Sequence, residues 1–433
     1  MPPRETMDNS PAPAPKKAFI EINELSFDYL KRFNGFQPAD DIIDLLSSLG
    51  RRVETITDSS QEGIDLDPWV EWVSVHTGVP APEHKMGSLG ESLSPNIPQI
   101  WDIWEQNQNS YSVWGAINGK SRELEYCDIF LPDVWSKERS KPRILNWLNY
   151  PAKIAAAGYS GMSLLRTFSM TSLSCLLLTP VLILSLPKLV SSLRFFSSKL
   201  GISDLYIYYE YLSLRLGLLL STIIRSDRMI IGTNIIAHTQ HHYWQKSKRS
   251  SIEYRAIYLL ADALKRTINS LKSDYEIYVI NALGQYCSES LNECDYLPLS
   301  GHQHMLSQLG IRYSKVSPKM SNDGVLFFAS SKQLDIAYNR LRNFHVEDNK
   351  LFTVKKRSDN KSLYYYLIFR KPQTAGKQIS LGQEPESLPA FDDCFYRNGT
   401  RTGCHSPNGF IIGRLPADVQ NGVYNHNLFQ LMH

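Results

Sequence analysis

The sequence predicts an α/β fold: a three-layer sandwich with a mainly parallel central sheet, a helical insertion and a small α+β cap. The first observation is that three apolar runs, at 18–22, 112–116 and 276–280, have strand composition and end near polar turns. The second is that amphipathic helical segments lie between them, as at 252–271. Alternating strands and helices are typical of a parallel sheet covered by helices on both faces.

The first strand, at 18–22, is followed by a polar turn at Asn23-Glu24 and by a helix that begins near Phe27. In an open α/β sheet, ligands bind beyond the carboxyl ends of the strands. The strand at 112–116 is preceded by a helix around 100–105, and the strand at 276–280 ends at Asn281. These polar turns are therefore candidates for the edge of a ligand site.

The rest of the chain divides by composition into four parts. Residues 1–17 carry Pro, Ala, Ser and charges, which indicates a disordered tail. The core is expected at 18–300 and 385–433, the helical insertion at 150–230 and the cap at 301–384. Within the cap we expect a strand at 324–330, a helix at 333–344 and a hairpin of 351–356 with 364–370.

One stretch, 162–189, is apolar enough to suggest a membrane contact. Pro180 and Pro187 interrupt it, and a second amphipathic run follows at 205–224. These features favour a buried helical hairpin. Contact with a membrane surface through 162–189 is the alternative.

Composition excludes some partners and favours one compartment. The formal charge of +3 on 433 residues gives no strong field, so nucleic-acid binding through phosphate neutralisation is not expected. The six cysteines form no C-x-x-C pair, which is typical of a reducing compartment. Since the first residues also lack the apolar core of a secretory signal, we expect a cytoplasmic protein.

Three of the eleven histidines, His238, His241 and His242, fall within five positions. In a helix, His238 and His242 would share a face and could bind one metal, while His241 would point elsewhere. The alternative is that these histidines are solvated or satisfied by hydrogen bonds and bind no metal.

Several short motifs occur in a meaningful order. They are the strand and turn at 20–24, Trp72-x-Ser74-x-x-Thr77-Gly78, the stretches at 82–84 and 100–103, Gln240-His241-x-Tyr243-Trp244, and Gly403-Cys404-His405-x-x-x-Gly409. In this order the chain resembles the alkaline phosphatase superfamily, in particular its type I phosphodiesterase and nucleotide-pyrophosphatase-like branch. The resemblance covers about residues 19–413.

The resemblance implies two metal ions, usually zinc, that clamp a phosphoryl group while a Ser or Thr attacks in line. It maps the first metal-binding aspartate onto Asn23, with Glu24 beside it. The nucleophile position falls on Pro68, which has no nucleophilic atom, and leaves Asp67 and Glu71 as the nearby candidates for catalysis. Carboxylates at such a position are also common helix caps.

Further ligand positions are substituted. The aspartate of the histidine motif maps onto Ala237, and a turn that supplies two ligands in active members aligns with 281–284, where neither is present. His241 and His405 remain, which the resemblance assigns to one metal site. One zinc or other divalent metal could therefore be held by His241 and His405, with His238, His242, Glu24 or Asn23 completing the set. A shared zinc requires His405 to lie within about 8 Å of a clustered histidine.

The resemblance thus implies a divergent phosphodiesterase- or phosphatase-like hydrolase or phosphoryl transferase with at most one metal. Its substrate would be a phosphodiester, nucleotide or phosphorylated sugar, bound with the help of Gln240, Asn281 and Gln285. The alternative is a metal-free pseudoenzyme that serves as a binding or scaffold protein, for instance in glycan or polymer assembly.

Overall fold

The structure, a computed structural model, describes residues 15–57, 59, 66–86, 93, 96–121, 125–136, 138–150, 164–195, 202–245, 248–288, 293–318, 322–357, 359–372, 376–382, 388–400 and 402–433. Most of the predicted tail, residues 1–14, and the first residues of the apolar stretch, 162–163, lie outside the described part of the chain.

An eight-stranded sheet forms the centre of the molecule. Its strands, in chain order, are β1 (Lys16–Ile22), β2 (Arg51–Ile56), β3 (Tyr111–Ala116), β4 (Cys127–Pro132), β5 (Arg228–Thr233), β6 (Tyr275–Asn281), β18 (Asn408–Gly413) and β19 (Val423–Tyr424). Their spatial order is β19-β2-β18-β6-β1-β5-β3-β4. Only β18 of these eight strands is antiparallel to its neighbours. The predicted mainly parallel sheet is confirmed.

Helices cover both faces of this sheet. They are α1 (Phe27–Lys31), α2 (Gln37–Ser47), α3 (Pro68–Thr77), α4 (Ala81–His84), α5 (Ile100–Gln106), α6 (Leu164–Ser192), α7 (Ile202–Ile224), α8 (Ala237–Tyr243), α9 (Ser251–Leu271) and α13 (Leu428–Met432). On one face, Ile20 of β1 packs in a core with α1, α2, α7 and α9. On the other face, Phe19 packs with tryptophans of α3 and α5. Successive side chains of a strand point to opposite faces, so β1 serves both cores and the fold has three layers.

The helical insertion consists of α6 and α7, which pack against each other. Both helices are long and apolar enough to cross a membrane by length and composition. The sequence predicts a buried helical hairpin, and α7 fits this prediction better than α6. In α7, 44% of the apolar stretch is buried, whereas in α6 only 22% is buried. Pro180 and Pro187 lie inside the helix α6 and do not end it.

The cap has its own sheets and its own core. Its elements are β8 (Cys294–Pro298), α10 (His302–Gln308), β9 (Lys315–Pro318), β10 (Asp323–Phe327), α11 (Ser331–Arg342), β11 (Phe344–Val346), β12 (Asn349–Lys350), β13 (Phe352–Lys356), β14 (Ser362–Leu367), β15 (Ile379–Leu381), α12 (Phe391–Cys394) and β16 (Phe395–Thr400). The hairpin of β13 and β14 lies where the sequence predicts one. The hydrophobic cluster of the cap runs from Cys294 to Phe395 and therefore extends beyond the predicted bounds of 301–384.

Two short strands connect the cap to the core. β7 (Gly284–Cys287) follows the central strand β6, and β17 (Gly403–Ser406) precedes β18. They pair antiparallel, with His405 opposite Gln285. This pairing brings the carboxy-terminal part of the chain to the edge of the sheet at which β1 and β6 end.

Candidate metal centre

The centre of the site is Glu24, in the turn that follows β1. The turn is held to the neighbouring strand because the amide of Asn23 donates to the carbonyl of Thr233 at 3.0 Å. Glu24 has a φ of +60°, a left-handed conformation that costs a residue with a side chain about 1–3 kcal/mol. Glu24 is 3% exposed. Strained residues cluster at functional sites, and a buried charge has to be paired, so Glu24 is a candidate functional residue.

Two imidazoles face the carboxylate of Glu24. His241 Nε2 lies 2.9 Å from Glu24 Oε2, and His405 Nε2 lies 3.5 Å from Glu24 Oε1. The ring centroids of the two histidines are 5.0 Å apart, which meets the distance that a shared metal requires. His241 comes from α8 and His405 from β17, so tertiary structure alone brings them together.

The second nitrogen of each ring bonds to the backbone. His241 Nδ1 lies 3.1 Å from the carbonyl oxygen of Gly403, and His405 Nδ1 lies 2.8 Å from that of Leu66. A carbonyl accepts only from a protonated nitrogen, so in a neutral imidazole the lone pair is left on Nε2. Metal-binding histidines are commonly oriented in this way.

The ligand atoms of Glu24, His241 and His405 all lie within 4.8 Å of one another. One carboxylate and two imidazoles are a donor set typical of a catalytic zinc site that keeps an open position. Within the described residues, this is the group of His, Cys, Asp and Glu side chains whose spacing fits a metal ion. The residues present therefore fit a single zinc or similar divalent cation.

Charge within the trio is strongly coupled. Burial pushes the pKa of Glu24 upward, but His241 and His405 outweigh it and hold this pKa well below its usual range. Burial lowers the pKa of His405, but the carboxylates of Glu24 and Asp67 outweigh it and raise the pKa to about 10. Without a metal, a proton on His405 thus supplies the positive charge that a buried Glu24 needs.

The three residues predicted to bind substrate all lie around Glu24. Gln285 Nε2 donates to Glu24 Oε2, and Gln240 Nε2 donates to the backbone carbonyl of Glu24 at 2.5 Å. Asn281 Nδ2 donates to the carbonyl of Leu25 at 2.8 Å. In this structure their donors hold the Glu24 turn in place.

Asn23 also contributes to this support. Its Nδ2 donates to Glu24 Oε1 at 3.0 Å and to Asn234 Oδ1 at 2.8 Å, and its Oδ1 accepts from Trp72 Nε1 at 2.8 Å. These bonds place Asn23 beside the trio as a support of Glu24, and its predicted role as a metal ligand stays a prediction. Trp72 and Asn234 were not among the predicted site residues, although Asn234 follows an apolar run at 229–233 in the pattern that Asn23 shows after β1.

The two predicted catalytic carboxylates occupy different places. Asp67 is 3% exposed and lines a cavity that is also lined by the trio. Its Oδ1 lies 3.3 Å from His405 Nδ1. Its Oδ2 has no hydrogen-bond partner in the described part of the chain. Burial raises the pKa of Asp67, and His405 opposes this only in part. Glu71 lies away from the cavity, where it accepts from Asn425 Nδ2 at 3.0 Å.

The helix α8 separates the clustered histidines as its periodicity predicts. The rings of His238 and His242 are 4.8 Å apart, and His241 faces His405 instead. Burial is the main cause of two pKa shifts: it lowers the pKa of His242, and it lowers the pKa of His238 to about 3. His242 Nδ1 lies 3.8 Å from Asp295 Oδ2 of the cap. These two histidines line the same cavity but are not part of the trio.

A cavity of about 530 Å³ opens beside the trio, between the core, the helical insertion and the cap. None of the described residues that line it is Lys or Arg. Tryptophan and tyrosine rings cover much of the wall, among them Trp69, Trp114, Trp135 and Tyr209. Seven carboxylates line it: Glu21, Glu24, Asp67, Asp133, Glu210, Asp295 and Asp323.

No family model and no curated protein matches the chain. Similar solved structures include phosphonoacetate hydrolase from Sinorhizobium meliloti in complex with phosphonoformate, at 13% identity and a TM-score of 0.48, covering 99% of this chain and 97% of that one. They also include murine ectonucleotide pyrophosphatase/phosphodiesterase 5, at 10% identity and a TM-score of 0.46, covering 96% of this chain and 94% of that one.

At TM-scores below 0.5 the likeness carries no conclusion about activity, substrate or metal.

Proposed function

We propose that this protein is a divergent phosphoric-ester hydrolase or phosphoryl transferase that uses one divalent cation, zinc being the best fit. Its substrate is a phosphodiester, nucleotide or phosphorylated sugar. The convergence of Glu24, His241 and His405 within 4.8 Å carries the proposal. These three residues would hold the cation, which would supply the charge that polarises and stabilises a phosphoryl group.

The electrostatics of the cavity support the need for a cation. A phosphate ester is an anion, and the described lining offers it seven carboxylates and no Lys or Arg. Like charges at short range in a partly desolvated site repel strongly. A bound divalent cation would offset this repulsion, and the trio is the place where the described side chains can hold it.

We assign Asp67 as the general acid. Asp67 lines the cavity, and its buried Oδ2 has no hydrogen-bond partner among the described residues. Burial raises the pKa of Asp67, so that it retains a proton more readily than an exposed aspartate. In hydrolysis, that proton would pass to the leaving oxygen as the P–O bond breaks, while a water oxygen forms the new bond to phosphorus. The proton that this water gives up would return to the Asp67 carboxylate and restore the acid. His405, 3.3 Å from the other oxygen, holds the Asp67 side chain in place.

The first test is metal content. Wild-type protein loaded with zinc and desalted should hold one zinc per chain, and the His241→Ala/His405→Ala variant should hold none. The His238→Ala/His242→Ala variant is the matched control, because it removes two imidazoles of the same cavity and leaves the trio intact. A wild type without metal, or equal loss in both variants, would contradict the proposal.

The second test is activity on an aryl phosphodiester. Asp67→Asn should lower the zinc-dependent rate by about 100-fold at unchanged zinc content, the range typical for loss of a general acid. Glu71→Gln removes a nearby buried carboxylate outside the cavity and should keep the wild-type rate. Hydrolysis that survives a chelator would refute the role of the metal.

A second candidate is a metal-free protein that binds a glycan or polymer. The aromatic wall of the cavity favours it, because rings of Trp and Tyr stack on sugar faces and carboxylates accept from hydroxyl groups. This candidate predicts that oligosaccharides quench tryptophan fluorescence in a protein that takes up no zinc. With either function we propose a cytoplasmic location, since the described cysteines are all free.

A further inference from the structure

The helix α6 buries small polar residues and exposes large apolar ones, the reverse of a helix in the core of a soluble protein. Its buried positions in the apolar stretch are spaced 4, 3, 4 and 7 residues apart, so they form one face, and three of the five are serines. They are Ser174, Leu178, Val181, Ser185 and Ser192. The exposed large side chains, at 39–66% relative exposure, are Leu176, Leu182, Ile183, Leu184, Leu186, Val190 and Leu193. Water favours the opposite arrangement, with leucines inside and serines outside.

The exposed apolar surface also wraps far around the helix. At about 100° per residue, the exposed side chains from Leu182 to Leu184 alone span about 200° of the circumference. A partner helix covers a narrower stripe, of roughly 100°. A continuous apolar medium would cover the whole of this surface, whereas a second copy of the chain would leave much of it in water.

Charge is distributed as an interfacial helix requires. Between Ser172 and Phe195 there is no Asp or Glu, and the charged residues, Lys188 and Arg194, lie toward its carboxyl end. Lys188 is directed toward the protein, because its Nζ lies 3.9 Å from Asp262 Oδ1 and 3.4 Å from the centre of the Tyr258 ring. Arg194 is exposed. A basic side chain at the border of an apolar surface matches the negative phosphates of lipid headgroups.

Both ends of the apolar stretch are tied to the protein. Ser174 Oγ donates to the carbonyl of Trp147, and Ser192 Oγ lies 2.9 Å from the hydroxyl of Tyr208 on α7. The helix therefore lies along the surface of the protein instead of projecting from it. The neighbouring helix α7 lines the cavity with Tyr206, Glu210 and other residues, which prevents it from leaving the core to cross a bilayer.

We propose that the exposed face of α6 is a docking surface for one leaflet of a lipid bilayer, in which the helix lies parallel to the membrane plane. The seven exposed apolar side chains enter the acyl boundary, and the serine face stays on the protein. This inference is independent of the proposed metal site. Since α7 separates α6 from the cavity, the docked membrane would lie one helix away from the site.

The test is flotation of the full chain with vesicles of 70% phosphatidylcholine and 30% phosphatidylglycerol. The wild type should float with the vesicles. Ile183→Asp should lower the bound fraction at fixed lipid by at least about tenfold, because one apolar contact is lost and a negative charge enters the interface. The matched control is Ile336→Asp on α11 of the cap, where the side chain is 54% exposed, against 66% for Ile183.

Unchanged melting temperatures of both variants would show that folding is intact. If Ile183→Asp melts at a lower temperature than the wild type, Ile183→Ser takes its place. Wild-type protein that stays at the bottom of the gradient would overturn the proposal, as would an equal loss of binding in the Ile336→Asp control. Sedimentation velocity tests the remaining case, in which the wild type is a dimer. If Ile183→Asp dissociates this dimer and the wild type does not bind vesicles, the face belongs to a second copy of the chain and the proposed lipid contact is refuted.

Discussion

The affinity of the trio for zinc should rise steeply with pH. A metal takes the Nε2 lone pair of a neutral imidazole, but the pKa of His405 is raised to about 10 by its neighbouring carboxylates. Zinc must therefore displace a proton, and each pH unit below that pKa costs about 1.36 kcal/mol, or tenfold in affinity. Between pH 6.5 and 8.5 the dissociation constant should fall by about 100-fold.

The other charged groups of the site should add little to this slope. Glu24 stays ionised across this range, because His241 and His405 outweigh the effect of burial and hold its pKa well below the usual value. His238 and His242 are already neutral, since burial lowers the pKa of both. One proton released per zinc is therefore the expected stoichiometry near pH 7.5.

Competition with a chromophoric chelator at pH 6.5, 7.5 and 8.5 measures the affinity, corrected for the protonation of the chelator. Calorimetry in two buffers with different ionisation enthalpies measures the released protons. In Glu24→Gln the affinity should fall and the slope should flatten, because the Glu24 carboxylate, which raises the pKa of His405, is then lost. Glu71→Gln alters a buried carboxylate outside the cavity and should keep the wild-type zinc affinity and the wild-type pH dependence of that affinity. A wild-type affinity that varies less than threefold over this range would refute the reasoning.

The metal-free protein should show the opposite trend in stability. His405 has a folded pKa of about 10 against 6.5 for an ordinary histidine. Its contribution to the free energy of unfolding is therefore complete below pH 6.5 and is lost as the pH rises through about 10. Urea denaturation between pH 6.5 and 10 measures this, and a stability that increases across the range would contradict the assignment.

Two further predictions concern the support of the trio. Trp72→Phe removes the indole N–H that donates to Asn23 at 2.8 Å and should lower the free energy of unfolding by about 1–2 kcal/mol, measured by urea denaturation; an unchanged midpoint would contradict it. Gly403→Ala places a Cβ 2.3 Å from the carbonyl oxygen of Gln240, so the strand that supplies the acceptor of His241 must shift. We expect a loss of more than about 2 kcal/mol in thermal unfolding together with weaker zinc binding, and a variant with wild-type zinc affinity would refute this role.

Part of the candidate site follows from local sequence. The strand at 18–22 and the polar turn after it are predicted because apolar residues give way to Asn23 and Glu24. The helical period alone separates His241 from His238 and His242, as the structure has it. These features depend on neighbours within a few positions, which a single sequence displays.

Other parts could not be predicted from the residues alone. The residues Gln240 and Gln285 have the donors of substrate-binding side chains, but tertiary packing turns them onto Glu24. The carbonyl oxygens of Gly403 and Leu66 fix the two imidazoles, and a backbone atom leaves no mark in a sequence. The cap carboxylates reach the cavity only because the cap folds over it.

The sequence by itself determined the α/β class, three strands of the central sheet, the apolar stretch of α6 and the residue types from which a metal site is built. Tertiary structure decided which of them meet. Glu24 and His405 are 381 positions apart, and the pairing of β17 with β7 brings His405 to the edge of the sheet where β1 ends. It also decided that the serines of α6 face the protein and its leucines face outward. Periodicity sorts side chains onto faces, but only the packed fold determines what each face meets.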